Sequence, residues 1–205
     1  IDSTSKTDVF CFGGNNGSAT VSVSGGATPY TYLWNDALNQ NTPSATNLLA
    51  GTYIINVVDD NGCNVSTSVT IDEPTQLTLT SGGIDPTCFG YADGITWVNA
   101  LGGTMPYAYS WNDVANQQND TAFTLTQGNY TVTVTDSRGC IETSDVVLTD
   151  PALFTINVNG TDVSCFGGND GMATVSENNG VSPFDYLWND PSAQTSQTAA
   201  GLTAN

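Results

Sequence analysis

Five cysteines carry the most chemistry in their spacing. Cys11 and Cys63 stand 52 residues apart, Cys88 and Cys140 stand 52 apart, and Cys165 is left over. Three of them open one heptapeptide: Cys11-Phe12-Gly13-Gly14-Asn15-Asn16-Gly17 returns as Cys88-Phe89-Gly90-Tyr91-Ala92-Asp93-Gly94 and as Cys165-Phe166-Gly167-Gly168-Asn169-Asp170-Gly171, each 77 residues after the last. The spacing predicts disulfides Cys11–Cys63 and Cys88–Cys140, with the partner of Cys165 falling twelve residues past Asn205. Closing such a loop is worth about 4 kcal/mol in the chain-entropy model, which matters in a unit whose core is small. Two other readings stay open. The thiols could be reduced core residues, or Cys63–Cys88 and Cys140–Cys165 could tie neighbouring units, although a strand and a linker should hold those pairs beyond the ~7 Å Cα limit for a bridge. Paired cysteines imply an exported protein.

The acids are the second chemical resource. Twenty Asp and Glu stand against Lys6 and Arg138 alone, a formal charge of −18, which excludes nucleic acid as a partner. Asp8, Asp85 and Asp162 recur at the 77-residue step, as do Asp36, Asp113 and Asp190, and Asp59 recurs as Asp136. Oxygen ligands from such turns suit calcium, with Asp59 and Asp136 as the candidate ligands; the alternative is that each Asp simply shapes its turn. No other cofactor is implied. With no His, and neither basic residue recurring, no general base or activated nucleophile can be assembled as a repeated catalytic site, so an enzyme is not expected.

The elements that position these residues are strands. Ser18 to Ser24 alternates small apolar with hydroxylated residues. Tyr30, Tyr32 and Trp34 share one face of the next strand, and the same places hold Tyr107, Tyr109 and Trp111, then Phe184, Tyr186 and Trp188. The stretch from Asp36 to Ala45 reads as a loop or short edge strand. Gly51-Thr52-Tyr53, matched by Gly128-Asn129-Tyr130, begins an alternating strand, and Leu-Gly-Tyr spacing ahead of it has the pattern of a tyrosine corner. The predicted core therefore includes Tyr30, Trp34, Tyr53, Tyr107, Trp111, Tyr130, Phe184 and Trp188. Trp97 resists that reading, because it stands at an outward position held by Thr20 and Thr174.

About seven short strands per unit, turn signals every eight to twelve residues and no helical periodicity predict an all-β chain of tandem immunoglobulin-like antiparallel sandwiches, end to end. The expected divisions are 1–74, 75–151 and 152–205, the first cut at its start and the third truncated, as in a piece of a longer protein. No stretch is long and apolar enough for a membrane span. One tension follows: in an immunoglobulin topology Cys63 lies at the opposite end of its unit from the loop holding Cys11.

The motif Cys-Phe-Gly-x-x-(Asn/Asp)-Gly, then Gly-Gly-x-x-Pro-Tyr-x-Tyr-x-Trp, then Leu-x-x-Gly-x-Tyr-x-Val-x-Val-x-Asp-x-x-Gly-Cys resembles the SprB repeat family of gliding-motility adhesins in Bacteroidetes. The resemblance implies a very long surface protein exported by type IX secretion, whose repeats form a filament on the cell surface. Its expected partners are other repeats of the same chain, surface polysaccharide, and the gliding or secretion machinery. Repeats that themselves bind polysaccharide or protein, and spacers of a secreted enzyme, are the alternatives.

Overall fold

The computed structural model describes residues 1–204, and no helix occurs among them. Fifteen strands follow the 77-residue step. The first copy gives β1 (Ser3–Thr7), β2 (Gly17–Ser22), β3 (Thr31–Trp34), β4 (Ser44–Leu48), β5 (Gly51–Val58) and β6 (Asn64–Ile71). The second gives β7 (Thr78–Ile84), β8 (Gly94–Leu101), β9 (Ala108–Trp111), β10 (Thr121–Leu125), β11 (Gly128–Thr135) and β12 (Ile141–Leu148). The third contributes β13 (Thr155–Thr161), β14 (Gly171–Asn178) and β15 (Thr198–Leu202). Each of the first two copies thus has six strands where about seven were expected, because the polar stretch after Asp36 yields one loop and the single strand β4.

Two compact units are distinguished. One comprises Ile1–Gly83, Ile95–Phe123 and Asn129–Val147, and the other Ile84–Gly94, Thr124–Gly128 and the chain from Leu148. The division cuts through the second copy.

Within the first unit, β1-β2-β4 form one antiparallel sheet and β3-β5-β6 another. Strands one, two and four facing strands three, five and six is the immunoglobulin-like arrangement, with β5 in the place of the strand that carries the tyrosine corner. Alternation does the sorting. Ala19 and Val21 on β2, Ala45 and Leu48 on β4, Trp34 on β3, Ile55 and Val57 on β5, and Val69 and Ile71 on β6 bury one core between the sheets, while Thr31, Leu33 and Ile54 face out. The Tyr53 hydroxyl donates to the Leu49 carbonyl at 3.1 Å, which completes the tyrosine corner. Tyr53→Phe is expected to cost about 1 kcal/mol, the worth of one such bond, read as a small shift in denaturation midpoint with an unchanged slope.

The second copy repeats the plan, with sheets β10-β8-β7 and β12-β11-β9. Trp34 and Trp111 are fully buried, and Tyr30, Tyr53, Tyr107 and Tyr130 are partly buried. In the second unit β13-β14-β15 form the third copy's sheet. There Phe184 and Trp188 are only partly buried and their segment forms no strand. In the first copy β3 takes its hydrogen bonds from β5, and among the described residues the third copy has no strand in the place of β5.

Candidate functional site

The heptapeptide is a loop locked at three points. Gly13, Gly90 and Gly167 take φ of 70°, 76° and 75°, a left-handed turn that suits glycine. Gly17, Gly94 and Gly171 close the loop where a Cβ would lie 2.7 or 2.8 Å from the carbonyl of Leu48, Leu125 or Leu202. Between them the side chains of Asn16, Asp93 and Asp170 accept from the backbone N–H of Phe10, Thr87 and Ser164 at 3.0 Å. In the first two copies a further acid holds the turning glycine: Gly13 N–H donates to Glu73 at 2.6 Å and Gly90 N–H to Asp150 at 2.8 Å. Asp8 and Asp85 fasten the base of the same loop by accepting from the N–H of Asp72 and Thr149.

What this loop presents is a cysteine, and the sequence expectation about its partner is corrected. Cys11 is bonded to Cys140, 129 residues away, with Cα atoms 5.6 Å apart. Neither Cys11–Cys63 nor Cys88–Cys140 forms, and neither does Cys63–Cys88 or Cys140–Cys165; Cys63, Cys88 and Cys165 are free and exposed. Strand direction gives the reason. Gly51 pairs with Ile71 at one end of β5, beside the Cys11 loop, while Val58 pairs with Asn64 at the other, beside Cys63. Eight residues at ~3.3 Å rise separate those ends by roughly 23 Å, far beyond bridging range.

The bond sits in a polar joint that uses both basic residues. Arg138 donates from Nη1 to the Val9 carbonyl at 3.3 Å and lines a cleft with Thr7, Asp8 and Phe10. Lys6 pairs with Asp8 at 2.8 Å and with Asp72.

The two candidate calcium ligands each organise a turn that ends in a cysteine, Cys63 after Asp59 and Cys140 after Asp136. Asp59 accepts from the N–H of Ala27 and Cys63. Buried Asp136 accepts from the N–H of Thr104 at 2.8 Å and from those of Arg138 and Cys140 at 2.9 Å. Both carboxylates thus hold backbone donors, and among the described residues no three acidic, Cys or His side chains gather into a metal site. Burial pushes the Asp136 carboxyl up, but the N–H groups of Cys140, Thr104, Arg138 and Gly139 outweigh it and hold the pKa below the ordinary value. A depressed carboxylate pKa adds stability that is present above the unfolded value near 3.9 and is lost as pH falls through the folded value. Asp136→Asn is expected to lose about 2 kcal/mol at neutral pH and to flatten the acid limb of a stability-against-pH curve, measured by urea denaturation from pH 7 to pH 2.

Asp36, Asp113 and Asp190 hold a different loop, together with a residue type that the sequence reading passed over. Gln40, Gln117 and Gln194, also 77 apart, donate from the side chain to those carboxylates at 3.0, 3.1 and 3.0 Å, and their backbone N–H groups donate to the same carboxylates. Their recurrence was the available signal. The indole N–H of Trp34, Trp111 and Trp188 then donates to the carbonyl of Thr42, Asn119 and Ser196.

Trp97 is 41 % exposed and lies over Gly82 on β7, where a Cβ would come within 2.5 Å of the ring. Thr20 and Thr174 fill its place elsewhere and reach Ser44 and Thr198.

The family profile described as SprB repeat matches residues 3–39, 85–116 and 157–193, together just over half of the sequence. The chain belongs to the SprB repeat family. SprB repeats are cell-surface adhesin-type modules, and the family and the fold are those of structural repeats. No curated protein matches this SprB chain. Among solved structures, an amphioxus IgVJ-C2 molecule is similar at 16 % identity and a TM-score of 0.30, covering 67 % of this chain and 98 % of its own. A three-domain immunoglobulin segment of titin follows at 11 % and 0.35, covering 95 % and 84 %. Eight N-terminal immunoglobulin domains of Down Syndrome Cell Adhesion Molecule are similar at 12 % and 0.32, covering 91 % of this chain and 29 % of theirs.

Proposed function

We propose that the chain is a stalk segment of a secreted cell-surface adhesin, that each 77-residue copy is one module of it, and that the parent serves gliding or surface attachment. The observation that supports this reading most is the Cys11–Cys140 bond, which ties one SprB copy to the next. A covalent tie across a joint restrains motion between modules, which a spacer under load requires and a catalytic site does not. The high negative charge favours an extended array through mutual repulsion. Imaging live source cells with an antibody against one repeat tests it. Label travelling along the cell surface supports a propelled adhesin, stationary surface label a static one, and label confined to the medium overturns the anchored stalk.

A second reading, repeats that bind polysaccharide, is favoured by one observation: Trp97 and Phe123 are both exposed on strands of the sheet β10-β8-β7. The places of Phe123 are held by Thr46 and Ala200 in the other copies, so this face would serve once in the chain and not once per module.

A further inference from the structure

Cys88 occupies in the second copy the place that Cys11 occupies in the first, yet it is free. We infer that Cys88 is the docking and cross-linking site for the Asp-x-x-Gly-Cys hairpin that completes the third copy, so that the 129-residue bond seen once is the repeating bond of the array. The occupant is therefore a hairpin of this same repeat type, the counterpart of β11 and β12. The inference concerns how copies are joined, and holds whether or not the parent moves on a cell.

Three observations carry it. The two loops are built alike: Thr87 N–H is held by Asp93 as Phe10 N–H is by Asn16, and Gly90 N–H is held by Asp150 as Gly13 N–H is by Glu73. Next, the hairpin bearing Cys140 docks on its own copy at a defined place, where Asp136 accepts from Thr104 N–H and Ser137 N–H donates to the Thr104 carbonyl. The counterpart of Gly103-Thr104 in the third copy is Gly180-Val181. Cys88 lines one cleft with Phe89, Phe154, Gly180, Val181 and Phe184, so it already faces the seat of the hairpin that would bring its partner. Val181 is 88 % exposed, as a residue awaiting that hairpin should be, whereas Thr104 and Ala27 beneath their hairpins are partly covered.

Third, the aromatic residue after each loop cysteine reports on coverage. Phe12 and Phe89 are 53 % and 50 % exposed, while Phe166, in the last copy, is 108 % exposed. In the two copies that another copy follows, this ring is about half exposed. By the same register Cys63 stands in the hairpin place and Cys165 in the loop place of such a bond.

Bond formation is ordinary exchange with a low-molecular-weight disulfide such as oxidised glutathione. One thiolate attacks it and releases one reduced thiol, and the second cysteine thiolate then displaces the other from the mixed disulfide. Two protein thiols are oxidised and the reagent disulfide is reduced to two thiols, which take up the two protons that the protein thiols lose.

The test extends the chain after position 205 with a second copy of residues 129–151, refolds it with oxidised and reduced glutathione, alkylates free thiols and maps disulfides by mass spectrometry without reduction. The expected map has Cys11–Cys140 and Cys88 bonded to the added cysteine, with Cys63 and Cys165 alkylated. Bonds Cys11–Cys63 and Cys88–Cys140, a bond from the added cysteine to Cys165, or alkylation of Cys88 together with the added cysteine would each overturn it. Should the longer chain not fold, Cys140→Ser in the 205-residue chain decides: alkylation of Cys11 supports the assignment, and a new Cys11–Cys63 bond sinks it.

Discussion

Cys140→Ser should lower the stability of the first unit by about 5 kcal/mol, the chain-entropy value for a loop of this length when everything it encloses unfolds cooperatively. In a chain of this size that corresponds to a fall in thermal midpoint of roughly 10–20 °C. Serine keeps the volume and polarity of the thiol, so the loss reports the bond itself. The Phe10 loop and the turn at Asp136 each keep their own hydrogen bonds, so both elements should remain formed and become independent of one another. Reductant should do to the wild-type protein what the substitution does, and should leave the variant unmoved. Scanning calorimetry with and without dithiothreitol makes the comparison. A wild-type midpoint indifferent to reductant would show that the bond does not contribute.

Trp34→Ala should cost about 3–5 kcal/mol, the range for removing a large aromatic side chain from a packed core. Trp34 has no exposure, and its indole N–H donates to the Thr42 carbonyl at 3.0 Å, so the change opens a cavity and also strands a carbonyl. Such a loss approaches the whole stability of a small unit. Trp111→Ala should match it, since Trp111 is as buried and donates to Asn119 at 2.9 Å. Trp188→Ala should cost far less, because Trp188 is only partly buried. Urea denaturation of the three variants provides the ranking; equal losses at all three positions would refute it.

Much of the fold was legible because it rests on local pattern. Period-2 alternation from Tyr30 to Trp34 and from Tyr53 to Val57 assigns faces to strands, and the Leu48-Gly51-Tyr53 spacing locates the tyrosine corner without reference to anything distant. The repeat step located the loops. Their cysteine pairing was not legible, because equal spacing within a copy says nothing about which end of a strand a residue occupies. Cys11 and Cys63 are separated by the length of β5, and the partner that lies close in space is 129 residues away in sequence. The acids were ambiguous in a related way. Asp59, Asp136 and Asp36 recur as metal ligands would, but recurrence follows equally from a carboxylate that holds its own turn, and only the position of N–H donors separates the two. Gln40 and Gln117 were marked only by their recurrence, because their bonds form only when their loop closes on Asp36 and Asp113. The outward-facing Trp97 needed Gly82 on a neighbouring strand to explain it.

The Cys11–Cys140 bond also reroutes tension. A pull on the two ends of this chain travels from Cys11 through sulfur directly to Cys140, and the residues between them, which include β2 to β11 entire, hang off the load path. Those sandwiches can unravel without lengthening the molecule, since about 450 Å of extended backbone is held in reserve behind one covalent shunt. Stretching the oxidised chain therefore draws only on residues outside the loop, those before Cys11 and those after Cys140, and reduction would add the enclosed length to what can yield.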